Sequence, residues 1–142
     1  MSASRELVIF GSAEIAELAH FYFSQDSEYD VVAFTVDDEF VEADTFKGLP
    51  LIPWSEAVKR YPPDRYAMHV ALSYMKLNRL RQAKFEQAKA AGYRLVSYIC
   101  SRSATWPDLE MGENCFILEN QTIQPTVKLG DNVMLWSGNH IG

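Results

Sequence analysis

The chain has 142 residues, of which 48% are hydrophobic and 23% are charged, and its formal net charge is −6 at pH 7. This length is enough for one ordinary domain and a little more. The acidic balance argues against nucleic acid as a partner, because phosphate contacts need a basic surface. An acidic net charge is still compatible with a local basic pocket that binds a phosphorylated small molecule.

The sequence carries no recognisable membrane or export signal. It has no apolar run of about 18 residues or more, so it predicts no membrane span. Residues 1–6 lack a basic segment followed by an apolar stretch, which argues against a secretory signal. Cys100 and Cys115 do not have the spacing of metal ligands. We therefore expect a reduced, cytoplasmic protein without a metal site.

The first part of the chain alternates strand and helix patterns. Residues 6–10 form a short apolar run that predicts a strand, and Gly11 follows it. Ser12 is a suitable N-cap for the helical pattern that continues to Phe23. Residues 29–36 form a nearly continuous apolar strand, which is typical of a parallel sheet that is covered on both faces.

The same alternation continues as far as residue 99. Residues 45–52 predict a connection with a short extended end, and a helix starts at Pro53. A third strand is predicted over 66–74, a long helix over 77–91 and a fourth strand over 93–99. This order favours a Rossmann-like parallel sheet with right-handed crossovers. The cations of the long helix are expected to face solvent: Arg79, Arg81, Lys84 and Lys89.

The last third of the chain has a six-residue period. Aliphatic or Met anchors recur at every sixth position, and turn-forming residues fall three places after four of them. A parallel β-helix has this period, whereas an amphipathic helix or an alternating strand does not. The anchors should point into a prism, with Asn or Gly at its left-handed corners. The anchors are Met111, Ile117, Ile123, Leu129, Leu135 and Ile141, and the corners are Asn114, Asn120, Asn132 and Gly138.

The loop after the first strand is a candidate ligand site. Gly11, Ser12 and Ala13 lie where the sheet opens onto a helix N-terminus, and backbone N–H groups there can bind phosphate. A dinucleotide fingerprint needs further glycines, and Glu14 would repel a phosphate close to the first turn. On this loop alone a plain turn is favoured, and ordinary NAD binding is disfavoured.

Further candidates lie at the predicted carboxyl edge of the sheet, where open α/β sheets bind ligands. Asp37 and Asp38 end the second strand and can accept hydrogen bonds from ribose hydroxyls, although a solvated strand end fits equally well. Arg79 could reach a diphosphate, although a solvated helix face is the plainer interpretation. The candidates around the third strand and the following helix are Ser73, Tyr74, Asn78 and Arg79.

The three histidines fall in different settings. His20 and His69 lie inside a predicted helix and a predicted strand, where a structural role is favoured. His140 directly precedes the anchor Ile141 in the hexad region. On a prism wall it could take a proton from a hydroxyl or an amine. In the hexad phase alone, a plain surface residue is an equally good interpretation.

The chain resembles hexapeptide-repeat sugar acyltransferases, and within them the group of sialic acid O-acetyltransferases and bacterial amino-sugar N-acetyltransferases. The resemblance covers the whole chain and rests on residues 8–11, 46–50, 111–117, 129–132 and 136–142. It implies a Rossmann-like domain over 1–103 that holds a nucleotide sugar, UDP- or dTDP-linked. It also implies a left-handed β-helix, starting at 104–142, that trimerises and binds acetyl-CoA between subunits.

The resemblance further implies a histidine base on the β-helix, which deprotonates the sugar amine or hydroxyl as that group attacks the thioester. This base is His140 or lies beyond Gly142. Fewer than two eighteen-residue coils follow Met111, so we expect an N-terminal piece that binds ligand but does not catalyse by itself. A non-catalytic small-molecule or partner-binding module is the alternative. A Rossmann oxidoreductase is disfavoured by the missing glycines.

Overall fold

The computed structural model describes residues 5–72 and 79–142. The candidate site residues Ser73, Tyr74 and Asn78 lie outside these ranges. The chain divides into two compact units, Met1–Leu95 and Val96–Gly142, which we call the sheet unit and the coil unit. This division falls ahead of the expected boundary at 103/104, because the short strand at Tyr98–Ile99 pairs with Phe116–Ile117 of the coil unit.

The sheet unit contains a five-stranded sheet with the order β3-β4-β2-β1-β5. β1, β2, β4 and β5 pair in parallel, and β3 pairs antiparallel with β4. This arrangement confirms the Rossmann-like parallel sheet. The strands are β1 (Glu6–Phe10), β2 (Asp30–Val36), β3 (Thr45–Phe46), β4 (Leu49–Pro53) and β5 (Ala67–Val70). The helices are α1 (Glu14–Gln25), α2 (Trp54–Arg60) and α3 (Arg79–Ala90), with one 3-10 turn at Asp38–Phe40.

Apolar side chains of β1 are buried on both faces of the sheet. Because side chains alternate along a strand, Leu7 and Ile9 point to one face and Val8 and Phe10 to the other. Val8 and Phe10 belong to a buried cluster with Phe85 of α3. A strand that is buried on both faces reads as a continuous apolar run, which is why β1 and β2 were recognisable in the sequence.

The segment after β2 forms a hairpin that the sequence predicted only as a connection. Lys47 and Gly48 have φ values of 50° and 80°, so both central residues of the turn are left-handed. Two such residues make the tight turn that joins β3 to β4. Inside the sheet, the Thr35 hydroxyl donates to the Ile52 carbonyl oxygen at 2.7 Å and ties β4 to β2.

The predicted fourth strand over 93–99 is present in this sheet only as a single parallel bridge beside β5. Leu95 forms only an isolated bridge with Met68 of β5. Gly92 has a φ of 103° and ends α3, after which Tyr93 N–H bonds back to the Ala88 carbonyl at 3.1 Å. The first residues of the segment 93–99 therefore form the C-terminal end of α3, and the last residues of the segment pair within the coil unit.

Two local predictions about the helices are wrong. The N-cap of α1 is Ala13 rather than Ser12, and no side chain caps this helix. Arg81 of α3 is buried and not solvated. Arg81, Phe85 and Ala88 have the i, i+4, i+7 spacing of one helix face, so an arginine lies on the stripe that packs inward.

The coil unit consists of two-residue strands that pair in parallel, eighteen positions apart. Glu110 lies beside Lys128, Phe116 beside Met134 and Thr122 beside His140. Three such ladders form the sides of a prism, as the hexad period predicted. The strands are β6 (Tyr98–Ile99), β7 (Glu110–Met111), β8 (Phe116–Ile117), β9 (Thr122–Ile123), β10 (Lys128–Leu129), β11 (Met134–Leu135) and β12 (His140–Ile141).

The corners of the prism have the left-handed backbone that the sequence indicated. Asn114, Asn120 and Asn132 have φ values of 57°, 62° and 60°, and Gly138 has 85°. The Asn114 amide donates to the Asn132 side-chain oxygen at 2.8 Å, which links equivalent corners of successive coils. Thr126 is a corner that the sequence analysis missed, with φ of 66°. A β-branched residue seldom adopts this conformation, so its type gave no signal.

The anchors form one core, as predicted. Ile117 and Ile123 are buried together with Cys115. Other hydrophobic side chains pack against this cluster, and they include the remaining anchors Met111, Leu129, Leu135 and Ile141. The coil unit therefore has a hydrophobic core of its own, distinct from the cluster of the sheet unit.

Replacing Ile123 by Asp should unfold the coil unit and leave the sheet unit folded. The change places an unpaired charge in the coil core, and in coil architectures each turn contacts mainly its neighbours. Amide hydrogen exchange should show lost protection in β8 to β12 and retained protection in β1, β2, β4 and β5. The exposed neighbour Thr122, changed to Asp, is the control and should leave both units protected. Equal loss in both units would contradict two independent cores.

Replacing Thr126 by Asn should raise the free energy of unfolding of the coil unit by about 1 kcal/mol, because Asn tolerates the left-handed region better than a β-branched residue. The backbone bond from Thr126 N–H to Asp108 Oδ2, at 3.1 Å, does not involve the replaced side chain. The reciprocal change of Asn120 to Thr should lower stability by a similar amount. Urea titration of the wild-type chain and the two variants measures both effects. An unchanged or lowered free energy of unfolding for the Thr126→Asn variant would show that the left-handed backbone at Thr126 is not strained.

Candidate functional site

The parallel strands of the sheet unit end at a common edge. Gly11 follows β1, Asp37 follows β2 and Trp54 follows β4. Because β1, β2 and β4 run in the same direction, these three positions share the carboxyl edge of the sheet. The edge is the place where open α/β sheets bind their ligands.

A cleft of about 560 Å³ opens at this edge. It brings together the end of β2, the 3-10 turn, the start of α2 and one face of α3. Asp37 and Asp38 were predicted as site residues from the sequence, and the structure places both here. The lining residues are Asp37, Asp38, Glu39, Trp54, Ser55, Lys84 and Gln87.

An ion pair spans the cleft from β2 to α3. The Lys84 ammonium contacts Oδ2 of Asp37, and the two side chains are only 17% and 20% exposed. Lys84 also donates to the Gln87 side-chain oxygen at 3.2 Å, and it lies 5.9 Å from the centre of the Phe10 ring. These contacts fix the ammonium in one place. The cleft therefore presents acceptor oxygens and a cationic donor side by side.

Asp38 is held by the first turn of α2. Its Oδ1 accepts the Ser55 backbone N–H at 3.0 Å. The Ser55 hydroxyl and this N–H together lower the pKa of Asp38 from its usual value of 3.8. Asp38 therefore stays ionised at neutral pH, and it secures the segment after β2 to the start of α2.

An aromatic wall supports the inner side of the cleft. The Trp54 ring lies 5.6 Å from Phe10 and 6.0 Å from Tyr93, measured between ring centres. The Tyr93 hydroxyl donates to the Tyr61 carbonyl oxygen, and burial raises the pKa of Tyr93 to about 12. Tyr93 thus stays a neutral donor. Trp54 is held between two aromatic rings and offers the cleft an apolar surface.

The Gly11 loop has a packing role. A Cβ at Gly11 would lie 2.6 Å from the Ala71 carbonyl oxygen, and φ at this residue is 136°. Glycine is therefore required for the close approach of two chain segments, whatever binds nearby. Ser12 and Ala13 follow in the turn to α1, and Arg79 is an exposed residue at the start of α3. None of these four residues lines the cleft around Asp37.

Sequence reasoning missed five of the residues that line the cleft. Lys84 and Gln87 are three positions apart on a helix, which places them on one side, but the pattern alone could not tell which partner they face. Trp54 and Ser55 follow β4, which was predicted only as a short extended end. Recognising Pro53 as a strand end would have placed both at the carboxyl edge beside Asp37.

His140 is an exposed residue of the coil unit, on strand β12 beside Thr122. Its Nε2 atom is 3.3 Å from the side-chain nitrogen of Gln124. The preceding residue, Asn139, donates its backbone N–H to the side-chain oxygen of the buried Gln121 at 3.1 Å. The imidazole therefore stands on an exposed prism wall, next to a well-anchored corner.

Within residues 5–72 and 79–142, no group of three or more His, Cys, Asp or Glu side chains could hold a metal ion. Over the same ranges no helix is long and apolar enough to cross a membrane. Cys100 and Cys115 are both buried free thiols.

Comparison with solved structures shows the same fold in acetyltransferases. The acetyltransferase domain of PglB from Neisseria gonorrhoeae, in complex with acetyl coenzyme A, has a TM-score of 0.80 and 19% identity, over 98% of this chain and 65% of that one. PerB from Caulobacter crescentus, in complex with CoA and GDP-perosamine, has a TM-score of 0.78 and 22% identity, over 95% of this chain and 63% of that one.

This chain thus spans slightly less than two thirds of the length of these two neighbours. At such identities the likeness establishes the fold, a Rossmann-like sheet followed by the first coils of a left-handed β-helix. No protein-family model matches the sequence. No curated protein matches it either.

Asp38 should titrate below 3.8, because its bonds to Ser55 favour the carboxylate. A carboxyl group with a lowered folded-state pKa adds stability above its unfolded-state pKa, and this stability is lost as the pH falls through the folded-state value. The chemical shift of the Ser55 amide proton, followed by NMR against pH, should report this midpoint. In the Ser55→Ala variant the midpoint should rise, since the hydroxyl is the larger cause. An unchanged midpoint would contradict the assigned bond.

Proposed function

We propose that the protein containing this chain transfers an acetyl group from acetyl-CoA to an amine of a nucleotide-linked sugar. In this proposal the sheet unit binds the nucleotide and the coil unit belongs to the acetyl transfer machinery. The observation that carries the proposal is the polar cleft at the carboxyl edge of the sheet, in a fold shared with two structures that contain acetyl coenzyme A or CoA. One of them also contains a nucleotide-linked amino sugar.

The cleft is suited to the nucleoside part of such a substrate. Its volume of about 560 Å³ accommodates a base and a ribose. Trp54 offers an apolar face, and the carboxylates of Asp37, Asp38 and Glu39 can accept hydrogen bonds from ribose hydroxyls or base N–H groups. Three carboxylates against one ammonium leave the cleft acidic, so the diphosphate belongs outside it. Backbone N–H groups near Gly11 are the proposed neighbours of the diphosphate.

The proposed reaction needs a base but no metal. The sugar nitrogen attacks the carbonyl carbon of the thioester, a C–N bond forms, and the C–S bond breaks. The nitrogen loses a proton to the base, and the CoA sulfur receives one as it leaves. His140 is the candidate for this base within the chain, because it is exposed on a prism wall of the coil unit. We propose a homotrimer, as the resemblance implies, and a cytoplasmic location, as the sequence indicates.

The activity test combines the complete protein, acetyl-CoA and a panel of nucleotide-linked amino sugars, with free thiol and mass spectrometry as readouts. We expect thiol release together with a mass gain of one acetyl group on the sugar. The His140→Ala variant should lose roughly 10²–10⁴-fold in kcat if His140 is the base. A small loss would place the base on another histidine while leaving the class of reaction intact.

The alternative is a binding module without catalysis. Nucleotide binding in the cleft without thiol release, for every amino sugar and every hydroxyl acceptor tried, would favour that alternative. Acetyl transfer to a hydroxyl rather than an amine would keep the enzyme class and change the acceptor. If the protein neither bound a nucleotide nor released thiol, the proposal would be wrong.

A further inference from the structure

Three hydrogen-bonding atoms follow one another through the Asp37 carboxylate and its contact with Lys84, and we call these three atoms the row. Oδ1 and Oδ2 of Asp37 are acceptors, and the Lys84 ammonium, which contacts Oδ2, is a donor next to them. Both residues line the cleft, and each side chain is largely withdrawn from solvent. The row therefore has the order acceptor, acceptor, donor, in a setting where charge-assisted bonds are strong.

The order of this row selects among the nucleobases. Guanine presents N2–H, N1–H and O6 along one edge, which is donor, donor, acceptor and matches all three atoms of the row. Uracil and thymine present acceptor, donor, acceptor, so one keto oxygen would face Oδ1 of Asp37. Adenine and cytosine can satisfy Oδ2 and the ammonium with an amino group and a ring nitrogen, but they leave Oδ1 without a donor.

We propose that the Asp37–Lys84 pair selects a guanine nucleotide as the carrier of the sugar. This inference rests on the proposed nucleotide-binding role of the cleft and specifies its substrate class. Gln87 keeps the Lys84 ammonium beside the carboxylate through its 3.2 Å bond. Trp54 lies in the same cleft and can contact the face of the base. A guanine carrier replaces the UDP- or dTDP-linked sugar that the sequence resemblance implied.

The nearly isosteric pair of guanine and hypoxanthine isolates one of the three bonds. Inosine diphosphate keeps N1–H and O6 but lacks the N2 amine, so it cannot donate to Oδ1 of Asp37. A hydrogen bond to a charged group corresponds to roughly tenfold or more in affinity. Calorimetric titration of the full chain should therefore show GDP binding at least about tenfold more tightly than inosine diphosphate, with UDP, dTDP, ADP and CDP weaker than GDP.

A specificity switch tests the role of Asp37 directly. In Asp37→Asn, a donor amide replaces one acceptor oxygen, so the row no longer matches the N2 amine of guanine. Xanthosine diphosphate carries a keto oxygen in place of that amine, and it should bind this variant more tightly than GDP does. The wild-type chain should show the opposite preference. Glu42→Gln removes one exposed carboxylate outside the cleft and should retain the preference for GDP.

The outcomes separate this inference from the proposed function. Nucleotide binding with equal affinity for GDP and inosine diphosphate, or with UDP preferred, would overturn the guanine assignment and leave the nucleotide-binding role standing. Reversal of preference by Asp37→Asn, absent from Glu42→Gln, would establish that the pair chooses the base. If no nucleotide bound the chain, both the guanine assignment and the nucleotide-binding role of the cleft would fall.

Discussion

The interior position of β1, between β2 and β5, is the constraint on which the sheet unit depends. β1 pairs with β2 on one side and β5 on the other, and its residues Leu7 to Phe10 are buried. After such an enclosed strand the chain leaves the sheet in a tight turn, and Gly11 permits this turn close to the Ala71 carbonyl oxygen. Gly11 therefore fixes the position at which the chain leaves β1. The carboxyl ends of β2 and β4 then lie beside it, and the cleft forms where their loops meet α3.

Polar side chains complete the cleft through contacts distant in sequence. Asp37 meets Lys84 and Asp38 meets Ser55, so the loop after β2 is secured to two different helices. Each contact leaves a charged or polar group at the cleft surface with its orientation already set. A ligand that matches this arrangement loses little free energy to ordering side chains, which is the usual advantage of a preformed site.

More of the coil unit than of the sheet unit could be predicted from the sequence, for physical reasons. The coil unit repeats a local rule every six residues, so its anchors and four of its corners were identifiable from residue type. Thr126 was not predicted as a corner, because a β-branched residue does not indicate a left-handed backbone. In the sheet unit, β1 and β2 were recognisable as buried apolar runs. The partners of Lys84, the burial of Arg81 and the exit of residues 93–99 from the sheet depend on packing between distant segments, which no local pattern encodes.

The residues that would select the nucleobase are separate from the hydrophobic cores of the two units. The cluster around Ile117 and Ile123 maintains the coil, whereas the cluster around Val8 and Phe10 maintains the sheet. The polar residues of the cleft belong to neither cluster. An exchange of Asp37 or Gln87 therefore removes no apolar side chain from either core, whereas Trp54 packs on Phe10. Base preference can thus change without repacking either core, provided that the contact between the end of β2 and α3 is kept.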